Sequence, residues 1–182
     1  MTPPETPFKP ESLKKQLEMA RFERALEVVE SMAEHRALLT TSELGRLNNI
    51  VAGKTEDPWR QGPVTLTLPS GKTETMALVA DPKVTAREKL HNATEKAENG
   101  QALEAAVDIY VDLVLSHVFR DANRRTAVLA AQYFLKRYDL PLSGIALHEM
   151  GLGDLREPGQ VEALRQTVHQ LIQFTSRTKP VK

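Results

Sequence analysis

The sequence predicts a mainly α-helical bundle carrying one β-hairpin. Apolar residues recur at three- and four-residue spacing in segment after segment of the 182-residue chain, the period of helices that bury one face. A single stretch, between Val64 and Ala80, reads as strand, with turn residues at its middle. There is no cysteine, hence no disulfide framework and no thiolate metal site, and the bundle must be held by packing. One domain of this length buries a proper core. Aromatics are 5% of the residues, which leaves Leu, Val, Ile and Ala to fill it.

Met1 to Pro10 holds four prolines and no apolar run of the signal-peptide kind, so it reads as a flexible tail. The domain proper is expected over 11–175. Glu11 to Arg36 reads as a long helix, with Leu13, Leu17, Phe22, Leu26, Val29 and Met32 (or Ala33) approximating one stripe. Thr40-Thr41-Ser42 supplies N-cap hydroxyls for a second helix, whose apolar face is Leu44, Leu47, Ile50 and Val51 and whose stop is Gly53. Lys54 to Pro63 is a polar loop in which Trp59 reads as a packing anchor. Val64 to Leu68 is strand-like, Pro69-Ser70-Gly71 supplies the turn, and Lys72 to Val79 returns. Such a hairpin is marginal by itself and needs the helices for support. Asp81-Pro82 closes it. Thr85 to Glu98 reads as a charged amphipathic helix stopped by Asn99-Gly100.

Two apolar helices follow, Ala102 to Val118 and Thr126 to Tyr138. Beyond them Pro141 and Ser143-Gly144 punctuate the chain, and Ile145 to Met150 is a short helix or turn. Gly151 to Gly159 is a glycine-rich loop without the lysine and hydroxyl of a P-loop. Gln160 to Thr175 is a last helix, and Ser176 to Lys182 a frayed basic tail.

The formal net charge is zero, so the basic footprint of a nucleic-acid binder is not indicated. No apolar run approaches the ~18 residues of a membrane span. The expected location is the cytoplasm, with neither nucleic acid nor membrane as partner.

Between the two apolar helices lies His117-Val118-Phe119-Arg120-Asp121-Ala122-Asn123-Arg124-Arg125. A helix beginning near Asn123 turns unpaired backbone N–H groups toward this loop, which makes a seat for phosphate. Arg124 and Arg125 stand in the first turn, against the helix dipole, and a bound anion explains cations there better than helix stability does. Asp121 suits Mg²⁺ shared with phosphate oxygens, although a bare Asp is more commonly a helix cap. His117 titrates in the range of a general base at neutral pH. Phe119 is expected to pack in the core, and Ala122 fits a place where backbone approaches an anion closely.

This run resembles the signature of the Fic/Doc family, H-x-F-x-[D/E]-[A/G]-N-x-R between two helices. The resemblance implies a Fic-type helical bundle in which the hairpin at about 64–80 is a flap. The flap docks the target by main-chain pairing, through Thr65, Leu66, Thr67, Thr73 and Thr75. It implies a transferase that moves AMP from ATP to a hydroxyl side chain of a target protein. His117 is then the catalytic base and Asp121 the Mg²⁺ ligand, while Ala122, Asn123, Arg124 and Arg125 hold phosphate. The implied partners are ATP, a protein substrate, and a small antitoxin or other inhibitory partner.

Two departures bear on the chemistry. Many AMP-transferring members carry a second arginine three places after the first, where this chain has Val128. The place before Arg125 is often glycine, and here it is Arg124; the Doc branch has lysine there and also lacks the later arginine. Doc phosphorylates protein, so a Doc-like kinase stays open as an alternative, as does a non-catalytic nucleotide-binding or interaction module. The string [S/T]-x-x-x-E-[G/N], which marks an inhibitory helix in many members, is absent from the first helix, where His35 stands four places after Ser31. It occurs at Thr94 to Asn99, which reads as a solvated helix end.

Overall fold

A computed structural model describes residues 10–76, 81–150 and 154–178. The readings made for residues 1–9, 77–80, 151–153 and 179–182 lie outside the described residues. The elements in chain order are α1 (Pro10–Glu34), α2 (Thr41–Ala52), β1 (Val64–Thr67), β2 (Thr73–Met76), α3 (Pro82–Glu98), α4 (Ala102–Ser116), α5 (Asn123–Arg137), α6 (Gly144–Glu149) and α7 (Gln160–Thr178). The fold is mainly helical with one antiparallel hairpin, as expected.

α5 is the hub. Every residue from Thr126 to Leu135 is buried, and a helix buried on all sides must be surrounded by others. α4 packs on one side, α1 on another, with α2 and α6 at its start. α1 and α5 run parallel, because the contacts climb in step: Gln132 donates to Glu30, and Lys136 pairs with Glu34. Two polar side chains of α5 reach backbone acceptors within the core. The Tyr133 hydroxyl donates to the Ala37 carbonyl at 2.7 Å, and Gln132 Nε2 donates to the Leu142 carbonyl at 3.1 Å. α3 and α4 form an antiparallel pair turned at Gly100, and Lys96 of α3 is bonded to Asp108 of α4.

Several boundaries differ from the sequence reading for local reasons. α1 stops at Glu34 because Arg36 takes a left-handed conformation. α3 begins at Pro82 rather than Thr85: the Asp81 carboxylate accepts from the Lys83 N–H, and proline sits at the first helical position, where its missing N–H costs nothing. α4 ends at Ser116, since His117 is left-handed. α7 continues to Thr178, with the Thr175 and Ser176 hydroxyls back-bonded to the Leu171 and Ile172 carbonyls.

The hairpin pairs Thr65 with Thr75 and Thr67 with Thr73, so all four threonines share one face of the ribbon. Its tether to the bundle is electrostatic. Glu74 pairs with Arg156, and Arg156 is itself held by Asp154 at 3.1 Å.

Phe119 is 1% exposed, and its ring lies 4.7 Å from that of buried Trp59. Phe119→Ala is therefore expected to cost about 3–5 kcal/mol of unfolding free energy. Urea denaturation measures this, and an unchanged midpoint contradicts the packing described.

Candidate active site

The loop between α4 and α5 is fixed from three sides. Its backbone enters and leaves through left-handed residues, His117 at φ 47° and Ala122 at φ 57°. Neither is glycine, and such a conformation costs an L-residue about 1–2 kcal/mol, which the surrounding structure must offset. The first support is internal. The buried Asn123 side chain accepts from the Phe119 N–H and donates to the Phe119 carbonyl, both at 3.0 Å. The second comes from α2, where buried Asn48 donates to the Asp121 carbonyl at 2.8 Å and to the Thr126 hydroxyl at 3.0 Å. The third is the loop after α2. Arg60 N–H donates to the Val118 carbonyl, and Arg120 N–H to the Pro58 carbonyl, each at 3.0 Å. Trp59 bridges to Phe119 between them.

This scaffolding decides what each candidate side chain can do. His117 lines a cleft of about 510 Å³ together with Thr65, Thr67, Tyr110, Val114 and Arg124. The hairpin and the Asp154–Arg156 loop form its other walls. The ring is half-buried and its Nδ1 is enclosed without a hydrogen bond of good geometry, which leaves Nε2 for the cleft. Burial pushes the imidazole below its ordinary pKa. The Val114 carbonyl opposes that shift, and the positive charge of Arg60 adds to it. His117 is thus neutral, and able to accept a proton, at pH values where a free histidine is already partly charged.

Asp121 is exposed, and its Oδ1 accepts from the Ala122 N–H at 2.7 Å. Among the described residues no three His, Cys, Asp or Glu side chains group as a metal site. A single exposed carboxylate beside a helix N-terminus suits Mg²⁺ only when phosphate oxygens and water complete its shell. Asn123 does not present its carboxamide outward, since both ends are bonded to Phe119; the backbone of the turn is what it offers. Arg124 donates from Nη2 to the carbonyls of His148 and Met150, at 3.1 and 2.8 Å. It therefore ties the end of α6 to the start of α5 while also lining the cleft. Arg125 is half-buried and reaches the Val51 carbonyl at the end of α2 at 3.4 Å.

The structure thus gathers His117, Arg124, Thr65 and Thr67 in one cleft, with Asp121, Ala122, Asn123 and Arg125 in the adjoining turn. Thr73 and Thr75 share the threonine face of the hairpin and are exposed. Leu66 is the register partner of Glu74 in the ladder. Sequence reasoning missed Asn48, although the signal was present: it lies on the inward stripe with Leu44, Leu47 and Val51. It also missed Glu74 and Arg156, whose pairing joins positions far apart in the chain.

The family model for the Fic/DOC family matches residues 38–135. A solved Fic domain containing signaling protein from Bacteroides thetaiotaomicron VPI-5482 aligns with TM-score 0.68 at 20% identity, covering 94% of this chain and 74% of that one. Fic-1 (aa134–508) from C. elegans aligns with TM-score 0.56 at 17% identity, covering 98% of this chain and 56% of that one. This chain therefore spans little more than half of the C. elegans structure. No curated protein matches. At these identities the two structures speak to the fold.

Replacing Asn123 by Ala leaves the Phe119 N–H and carbonyl buried without partners. A loss of about 1–3 kcal/mol is expected, measured by thermal or urea unfolding. Wild-type stability in the variant contradicts the bracing role.

Proposed function

The chain belongs to the Fic/DOC family, and from that premise we propose that it transfers AMP from ATP to a hydroxyl side chain of a target protein. The observation that carries the proposal is the position of His117. It is an imidazole, its pKa lowered by burial, at the left-handed end of α4, opening on a cleft walled by the hairpin and by Arg124. A base of that kind needs a proton donor delivered to it, and the threonine-faced ribbon is a surface along which a target segment can lie.

In the proposed reaction the target hydroxyl oxygen attacks the α-phosphorus of ATP. The new bond is oxygen to α-phosphorus, the bond broken joins that phosphorus to the bridging oxygen, and pyrophosphate leaves. His117 Nε2 takes the hydroxyl proton. The N–H groups at the start of α5 and the Arg125 guanidinium hold phosphate oxygens, which a helix N-terminus and a planar cation both favour. Asp121 is the residue that would hold Mg²⁺, which when bound offsets charge on the phosphates. Arg124 acts through position, keeping α6 against the site.

Val128 supports a second reading. No cation stands one turn after Arg125, so the terminal phosphate lacks a grip from α5 and the triphosphate can lie reversed. The attacked atom is then the γ-phosphorus, ADP leaves, and the protein is a kinase.

Labelled ATP separates the two. Label from the α position entering protein is expected, and label from the γ position identifies the kinase; His117→Ala abolishes either. If neither label enters protein from a cell lysate and His117→Ala behaves identically, the transferase proposal is wrong.

The rate should also report the lowered His117 pKa. Protonation removes the base, so activity falls as pH drops through that pKa. Because the shift is downward, the acid limb should lie below the ordinary histidine value of about 6.5. A pH–rate profile whose acid limb sits above that value contradicts the burial described.

A further inference from the structure

A second cleft, of about 680 Å³, lies between α1, α2 and the loop that follows α2, and the proposed chemistry does not use it. Its size is that of a ligand site. Arg21 and Arg24 come from α1, Arg46 from α2 and Lys54 from the loop, and among the described residues no carboxylate lines it. Arg46 is partnered by Glu43 at 2.8 Å. Arg21, Arg24 and Lys54 form no ion pair among the described residues. One further donor lies among these cations. Trp59 is 7% exposed, and among the described residues nothing accepts from its indole Nε1. That nitrogen is 3.5 Å from where a Cβ on Gly45 would stand, and both residues line the cleft. The missing side chain at Gly45 leaves the N–H open to it. A nearly buried donor without an acceptor costs free energy, which an acceptor in the cleft would recover.

Helix stability explains only part of this. The C-terminal end of α2 favours a cation, and Arg21 lies over it: a Cβ on Gly53 would come within 2.5 Å of Arg21 Cζ. That effect fades within the last turn, whereas the Trp59 donor faces Gly45, about two turns before Gly53. The donors are therefore spread along the cleft. Its α2 wall runs from Ser42 to Gly53, roughly 16 Å at the rise of a helix. One phosphate is too small to span that length, while about five residues of extended polypeptide match it. Single-stranded nucleic acid would need an open aromatic face on which a base can stack. The Trp59 ring packs on Phe119 and is nearly buried, so it offers an N–H and no such face.

We infer that the cleft between α1 and α2 docks an acidic polypeptide segment of a partner protein. Its carboxylates meet Arg21, Arg24 and Lys54, the arginine forks matching carboxylate geometry, and one of its oxygens accepts from Trp59 Nε1. The same loop braces the turn between α4 and α5, since the Trp59 carbonyl accepts from Arg120 Nε at 3.1 Å. The docked segment thus sits one residue's width from the backbone that holds the candidate active site. The inference concerns binding alone and does not rest on the transferase reading.

Trp59 is the only tryptophan of the chain, so its emission reports on this cleft. The full chain at pH 7 and low salt is titrated with end-blocked hexaglutamate, and with hexalysine, tripolyphosphate and oligo-dT as comparators, by fluorescence and by calorimetry. Hexaglutamate is expected to bind saturably and to shift the Trp59 emission, and hexalysine to do neither. Arg21 and Arg24 are exposed, so the double variant Arg21→Gln/Arg24→Gln should fold, which its melting curve checks. It should bind hexaglutamate at least about tenfold more weakly, the scale of one lost charge-assisted hydrogen bond; Lys54→Gln should weaken binding in the same direction. Arg125→Ala should bind the peptide like wild type. No saturable binding by either method overturns the inference, as does wild-type affinity in the double variant. Tighter binding of tripolyphosphate or oligo-dT at the same arginines also overturns it, by assigning the cleft to phosphate. Loss of peptide binding in Arg125→Ala alone would place the peptide at the α5 turn and sink the inference while leaving the proposed function standing.

Discussion

A buried carboxamide sets the shape of the site. Asn123 bonds both the N–H and the carbonyl of Phe119, which closes the chain on itself between two apolar helices. With that closure made, Ala122 must turn left-handed to enter α5, and His117 must turn left-handed to leave α4. The imidazole, the Asp121 carboxylate and the first N–H groups of α5 are then displayed on one short stretch. A loop of this polarity would otherwise fray. Asn48 and the Trp59 bridge hold it from α2 and from the loop beyond, so both elements preceding the hairpin also serve the corner. Strain of this kind, over-determined by its surroundings, is common where chemistry needs fixed groups.

The hairpin stands in contrast. It is two short strands, with an exposed threonine face, tethered to the loop before α7 by Glu74 and Arg156. Exposed ion pairs are worth little and are screened by salt. The corner between α4 and α5 is therefore rigid, and the wall opposite it is held lightly. That division suits the proposed transfer, in which a nucleotide is fixed while a polypeptide segment is admitted beside it. Strand addition draws its affinity from backbone groups and so tolerates many side chains on the target.

Much of this was legible in the sequence because it depends on local period and on one continuous motif. Most helix stripes, the Gly53 stop and the hairpin turn are written in neighbouring residues, although Leu13 and Leu17, read as part of the α1 stripe, are exposed; the signature from His117 to Arg125 lies in a single run. What was not legible is how distant segments meet. The parallel course of α1 along α5, and the tether from Arg156 to Glu74, are products of tertiary packing. Arg124 shows the limit most clearly. Its place in the first helical turn pointed to an anion, and the structure adds two carbonyl acceptors from the end of α6, which no spacing rule contains. Asp81-Pro82 was read as the close of the hairpin, although an Asp cap followed by a first-turn proline is equally a helix start.

The central claim is that the turn entering α5 seats a triphosphate within reach of the His117 imidazole. A crystal grown with Mg²⁺ and a non-hydrolysable ATP analogue tests it most directly. The account predicts phosphate oxygens on the α5 N–H groups and Arg125, with the α-phosphorus nearest His117 Nε2. Nucleotide density elsewhere in the molecule, or an imidazole turned away from the phosphates, would contradict it.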